Sequence, residues 1–89
     1  MRSGRSTRRM ERKNISMKNF DMKIVAERIR TLRAEKGIGQ NQLAQDIEVS
    51  NASISYWENA KQEPSAQAVY KLARYFDVTA DYILGIESD

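Results

Sequence analysis

The sequence contains neither cysteine nor histidine among its 89 residues. Without cysteine the chain can form no disulfide and no thiolate metal site, and without histidine it lacks the commonest general base and metal ligand. No glycine-rich loop accompanies the carboxylates to complete a catalytic site. We therefore expect a protein that is not an enzyme and that binds no metal and no cofactor.

Long apolar runs are also missing. No stretch approaches the roughly 20 apolar residues of a membrane-spanning helix, and the N-terminus lacks the apolar segment of a signal peptide, so we expect a cytoplasmic protein. The length and the single apparent core indicate one small domain. There are no strand signals and no repeats, so the expected fold class is all-α.

Basic charge is concentrated at the N-terminus. Residues 1–23 contain eight Lys or Arg against two acidic residues, a balance of +6, whereas the remainder carries −3. The basic character of the chain therefore belongs to the tail and gives no reason to assign a basic surface to the folded part.

Apolar spacing predicts five short helices. The first, from about Met22 to Lys36, has one apolar face and ends at Gly37, a residue suited to a left-handed cap. The fourth begins after Pro64 with Ser65 as its cap, and the fifth follows Thr79 and ends at Gly85. The inward residues are expected to be Val25, Ile29 and Leu32 in the first helix and Val69, Leu72, Ala73 and Phe76 in the fourth.

The most informative segment is QNQLAQDIEVSNASISYWEN, residues 40–59. It indicates two short helices, joined by the three residues from Glu48 to Ser50. Ser50 can cap the second helix, and Ile54 and Trp57 form one buried face of that helix. Its other face has Asn51, Ala52, Ser55 and Tyr56, which are uncharged and mostly able to hydrogen-bond, whereas a merely solvated face more often has Lys and Glu.

This segment and its flanks resemble a family, the Cro and phage-repressor (XRE-type) class of helix-turn-helix regulators. Its first two helices are similar to IRTLRAEKGIGQNQLA, the end of its recognition helix and the next loop to ISYWENAKQEPS, and its last two helices to LARYFDVTADYILG. The resemblance covers residues 23–85. It implies a compact five-helix, lambda-repressor-like domain in residues 22–86 that binds double-stranded DNA sequence-specifically and regulates transcription, as a repressor.

The resemblance also assigns roles to single residues. In the family, positions matching Asn51, Ala52 and Tyr56 contact base edges in the major groove, and each of these side chains suits base recognition; we add Ser55 to this set. Expected phosphate contacts are Gln40, Ser53, Asn59, Lys61 and Gln62. For each residue the alternative is an ordinary polar surface position, and Ser53 and Ser55 in particular could be plain helix-surface serines.

The family also has an ion pair at the positions of Arg33 and Glu58, which would join the first helix to the third and could aim a guanidinium N–H at a phosphate. Two positions depart from the family pattern, since Glu48 and Ala60 stand where glycine is usual. A left-handed backbone costs a non-glycine residue roughly 1 kcal/mol. Glu48 also brings a negative charge near the DNA.

Because one recognition helix reads only a few base pairs, we expect two copies on a palindromic operator, formed by weak self-association through the fifth helix and Ile86 or only on DNA. Residues 1–21 are expected to be a flexible basic tail: a DNA arm, a nonspecific phosphate tether or an extension without function. Residues 87–89 form a short C-terminal tail. A different function remains open, a protein-interaction module such as an antitoxin or anti-repressor subunit, which the net −3 and Glu48 favour.

Overall fold

The computed structural model describes residues 20–86, and every regular element in that range is a helix, which confirms the all-α class. The helices are α1 Met22–Lys36, α2 Gln40–Ile47, α3 Asn51–Glu58, α4 Ala66–Phe76 and α5 Ala80–Leu84. The predicted tails at residues 1–21 and 87–89 lie outside the described residues, except for residues 20 and 21. None of the described helices combines the length and apolar character needed to cross a membrane.

The core lies between all five helices. α1 packs against α3 and α5, α2 against α3 and α4, and α4 against α5. The apolar faces predicted for the first and third helices are buried, including Trp57. Ala73 and Phe76 are only partly buried and pack against the core, whereas Ala68, which the sequence pattern did not single out, is buried. The fully buried large side chains are Val25, Ile29, Leu43, Ile54, Leu72 and Ile83.

Four of the helices begin with a side-chain cap. Ser50 and Ser65 accept from the backbone N–H groups three residues later, as predicted, and Thr79 does the same for α5. Asp21, which we expected to belong to the tail, instead caps α1 by accepting from the N–H of Lys23 at 2.9 Å. Only α2 begins without such a cap, because its N-cap is Gly39.

Each described helix is followed, within two residues of its end, by a residue with a left-handed backbone, and only two of these five residues are glycine. Gly37 follows α1 and Gly85 follows α5, whereas Glu48, Ala60 and Asp77 adopt φ angles of 63°, 57° and 58° after the other three. In each case two backbone N–H groups turn back onto carbonyls of the last turn, the Schellman arrangement. The turn between α2 and α3 therefore has the predicted backbone, with a glutamate in the strained position.

Candidate nucleic-acid interface

The outward face of α3 carries Asn51, Ala52 and Tyr56, and all three are exposed. Tyr56 has 48% of its surface accessible, so both its ring and its hydroxyl can reach a partner outside the domain. The face is held in place from behind, because Ile54 and Trp57 on the opposite side of α3 lie in the core. The structure thus presents one amide, one methyl and one phenol on a helix whose other side is anchored in the core.

Two serines on α3 are less available than expected. The hydroxyl of Ser53 lies 2.9 Å from that of Ser50, so it belongs to the helix cap. Ser55 is half-buried, and its carbonyl and hydroxyl both accept from the side-chain amide of Asn59, at 2.9 and 3.4 Å. The amide of Asn59 is therefore folded back along α3, while Lys61 and Gln62 in the following loop are exposed.

Gln40 is half-buried at the first position of α2, and its side chain has a partner that the sequence did not predict. Its amide Nε2 donates to Oε1 of Glu58 at 2.9 Å. A carboxylate can only accept hydrogen bonds, so Glu58 fixes which end of the Gln40 amide faces inward. One N–H of that amide and its carbonyl oxygen take no part in this bond.

Glu58 is the centre of a hydrogen-bond network that joins α3 to α1 and α2. It is only 3% exposed, and Arg33 of α1 binds its carboxylate through Nε at 2.7 Å and Nη2 at 2.9 Å. The structure therefore contains the ion pair that the resemblance implied. Nη1 of Arg33 also donates to the carbonyl of Ile38 at 3.0 Å. These bonds leave two of the five guanidinium N–H groups without a hydrogen bond inside the described part of the chain.

The ion pair changes the pKa of Arg33. Its hydrogen bond to Glu58 raises the pKa of Arg33 above the usual value, although partial burial acts in the opposite direction. A nearly buried carboxylate is costly unless it is paired and hydrogen-bonded. Here Arg33 and Gln40 satisfy both oxygens, so Glu58 ties α3 to α1 and α2 at once.

Charge around this face is sparse. Residues 40–62 contain one basic residue, Lys61, and three acidic residues. Glu58 is neutralised by Arg33, and Asp46 accepts from Tyr75 and Gln42 at 2.6 and 2.8 Å. Glu48 is exposed at the end of α2. Net charge therefore does not favour a polyanion at this face, and only helix N-termini and single basic residues could attract one.

A second polar cluster joins α2 to α4. Besides accepting from Tyr75, Asp46 raises the pKa of the Tyr75 phenol, chiefly through this hydrogen bond. The ammonium of Lys36 lies 5.0 Å from the centre of the same ring. No sequence signal pointed to this contact, because its members are spread over three helices.

Comparison with known proteins finds similarity to helix-turn-helix regulators. A family model described as helix-turn-helix matches residues 29–83. The chain is 36% identical over 61 residues to the HTH-type transcriptional activator BcrR of Enterococcus faecalis and 35% identical over 63 residues to the uncharacterized HTH-type regulator YobD of Bacillus subtilis. These matches cover 68% and 71% of this chain, but only 30% and 56% of the two relatives.

Solved structures resemble the fold as well. The P22 c2 repressor in complex with a synthetic operator matches with a TM-score of 0.68 and 33% identity, over 72% of this chain and 97% of that one. The N-terminal DNA-binding domain of SinR from Bacillus subtilis matches with a TM-score of 0.67 and 28% identity, over 74% and 97% of the two chains.

Proposed function

The chain belongs to the helix-turn-helix family of transcriptional regulators, and we propose that it is a repressor that binds double-stranded DNA sequence-specifically, with α3 in the major groove. The observation that carries the proposal is the outward face of α3. It presents uncharged, hydrogen-bonding and methyl groups on a helix whose other side is anchored in the core. The major groove is wide enough to admit such a helix.

The side chains on α3 suit base recognition. The amide of Asn51 can pair with adenine through two hydrogen bonds, and the methyl of Ala52 can meet the methyl of thymine. The hydroxyl of Tyr56 can donate to or accept from a base edge. Ser55 is the weakest member of the proposed set, because it is half-buried and its hydroxyl already accepts from Asn59, although its O–H can still donate.

Phosphate contacts flank this face in the proposal. The first turn of α2 has no side-chain cap, so its free N–H groups and the positive end of the helix dipole are available to a phosphate. The N–H of Gln40 that does not face Glu58 would donate to the same group. On the other side of α3, Lys61, Gln62 and Asn59 would contact the second strand, with Ser53 at the start of the helix.

The hydrogen bonds of Glu58 give this arrangement its rigidity. Contacts to phosphate set the register of a protein on DNA, and contacts to bases read the sequence. The phosphate contacts of α2 and the base contacts of α3 must form at the same time, so the two helices need a fixed relative position. Glu58 supplies it by binding Gln40 of α2 and Arg33 of α1 from the end of α3.

We extend the proposal to two copies on a palindromic operator, with half-sites about one DNA turn apart. Ile86, next to the end of α5, is 56% exposed, and Tyr82 on α5 is also exposed. A contact between two copies through these side chains would be small, so association is proposed to be weak or to occur only on DNA. With this role we propose a cytoplasmic location as well.

The test is duplex binding by variants of the α3 face. A duplex selected by the wild-type protein from a random library provides the operator. Asn51→Ala and Tyr56→Ala should each weaken binding by about 1–3 kcal/mol and relax specificity at one position. The control is Tyr70→Ala, because Tyr70 is an exposed tyrosine on α4. If both α3 variants bind like the wild type, the assigned face is wrong.

Salt dependence distinguishes DNA binding from the protein-interaction alternative. A dimer that neutralises six to ten phosphates should lose roughly 10³ to 10⁵ in affinity between 50 and 200 mM salt. Failure to enrich any duplex at low salt, together with a stoichiometric complex with a co-purified protein, would favour the interaction module.

A further inference from the structure

The C-terminal end of α3 is completed by a residue of another helix. The last four carbonyls of a helix have no partner within it. Those of Ser55, Tyr56 and Trp57 accept from the backbone N–H groups of residues 59, 61 and 60, at 3.0, 2.8 and 3.2 Å. The fourth, the carbonyl of Glu58, accepts from Nη1 of Arg30 on α1 at 2.6 Å.

Arg30 also supplies a charge that α3 lacks. No basic residue lies in the last turn of α3, although a cation there would interact favourably with the helix dipole. The guanidinium of Arg30 provides that cation from α1. Arg30 and Arg33 are three residues apart and therefore neighbours on the helix surface. They bind the carbonyl and the carboxylate of the same residue, Glu58.

We propose that Arg30 is a positioning residue that fixes α3 along its own axis and thereby sharpens the discrimination between base pairs. The proposal rests on the DNA binding proposed above. The ion pair alone holds Glu58 through a side chain with several rotatable bonds, whereas Arg30 holds its main chain. Hydrogen bonds weaken steeply with misalignment, so a shift of α3 would reduce affinity for the correct base pair more than for an incorrect one.

The competing explanation is a direct phosphate contact, since Arg30 is exposed. The two roles predict different measurements. Loss of a phosphate contact weakens binding almost uniformly across sequences and lowers the salt slope by about one. Loss of a positioning contact lowers the ratio of affinities between the selected duplex and a singly substituted one, while the salt slope stays the same.

The experiment measures this ratio in the full chain at several salt concentrations. A single base-pair substitution should lower wild-type affinity by roughly 5- to 150-fold. We expect Arg30→Ala to reduce that ratio at least threefold with an unchanged salt slope. Arg30→Gln keeps an N–H donor without the charge and should recover part of the ratio. Arg74→Ala is the control, because it removes the same charge from a side chain whose contacts are with Tyr70 on α4.

Folding is monitored by circular dichroism at a temperature below the unfolding midpoint of each variant. If Arg30→Ala is unfolded, Arg30→Met takes its place with the same expectation, because methionine favours helices and has neither a charge nor an N–H donor in its side chain. A uniform loss on both duplexes with a smaller salt slope would overturn the proposal in favour of a phosphate contact. An unchanged ratio would overturn it too. If the wild-type protein selects no sequence at all, the proposed function itself fails, which is a distinguishable result.

Discussion

Glu48 has a backbone φ of 63° where the chain turns from α2 to α3. That conformation costs a residue with a Cβ roughly 1 kcal/mol or more relative to glycine, which adopts it freely. We therefore predict that Glu48→Gly raises the free energy of unfolding by about 1 kcal/mol, measured by urea denaturation. Glu48→Gln is the control, because it removes the charge and keeps the Cβ. Equal stabilisation by both substitutions would show that charge repulsion, rather than backbone strain, is relieved.

Tyr75 links stability to alkaline pH. Its hydrogen bond to Asp46 raises the pKa of the phenol, so the folded pKa lies above the unfolded value of about 10. The stabilisation is then fully present below pH 10 and is lost as the pH rises through the folded pKa. We predict that the stability difference between wild type and Tyr75→Phe is largest below pH 10 and shrinks above it. Unfolding measured from pH 7 to 11 checks this, and a constant difference would contradict it.

Sequence reasoning anticipated some of the non-glycine residues with a left-handed backbone and missed another. The positive φ angles of Glu48 and Ala60 could be anticipated because both stand where the family usually has glycine. Asp77 adopts the same conformation and was not anticipated. A short polar side chain such as Asp tolerates a left-handed backbone better than most, so an Asp directly after the apolar period of α4 was a weak signal that the sequence reasoning did not use.

The contact between α1 and α5 depends on a residue without a Cβ. A Cβ added at Gly85 would lie 2.9 Å from Cγ2 of Ile24, whereas one at Gly37 would have nothing within 4 Å, although the two φ angles are similar, at 77° and 73°. We predict that Gly37→Ala costs about 1–2 kcal/mol of unfolding free energy from the backbone alone. Gly85→Ala should cost about 1–3 kcal/mol more, through overpacking.

The same pair of helices offers a control. In an Ile24→Ala background the clashing Cγ2 is absent, so Gly85→Ala should cost no more than Gly37→Ala does in the wild type. Chemical denaturation of the four variants measures both values. A full additional cost in the Ile24→Ala background would mean that the strain at Gly85 has another source.

Helix positions and helix contacts differ in how well the sequence predicts them. The bounds of the first helix, Met22 and Lys36, agree with the structure because an apolar period and a glycine stop mark them. The hydrogen-bond partners of Glu58 were predicted less completely. Its pairing with Arg33 came from the family resemblance, and the bonds from Gln40 and Arg30 were missed. Periodicity tells which face of a helix is buried, but not which atoms of distant segments meet there.

In the whole molecule, net charge is distributed unevenly between the N-terminal segment and the described domain. Residues 20–86 carry eight basic and nine acidic residues, whereas residues 1–19 carry seven basic residues and one acidic residue. In the proposed function, DNA would therefore bind the described domain through the placement of single groups and not through its net charge. Any long-range, sequence-independent attraction to DNA must then depend on the N-terminal segment.

We therefore predict that a variant lacking residues 2–19 binds random duplex at least about tenfold more weakly at low salt and has a shallower salt dependence. Its discrimination between the selected duplex and a singly substituted one should stay the same, because the α3 face is intact. Asp21 is retained in this variant, since losing the α1 cap costs about 1 kcal/mol by itself.

The matched control keeps the full length but changes the five arginines at positions 2, 5, 8, 9 and 12 to glutamine. If charge is the cause, both variants lose nonspecific affinity together. Unchanged affinity and salt slope in both would mean that the segment does not contact DNA.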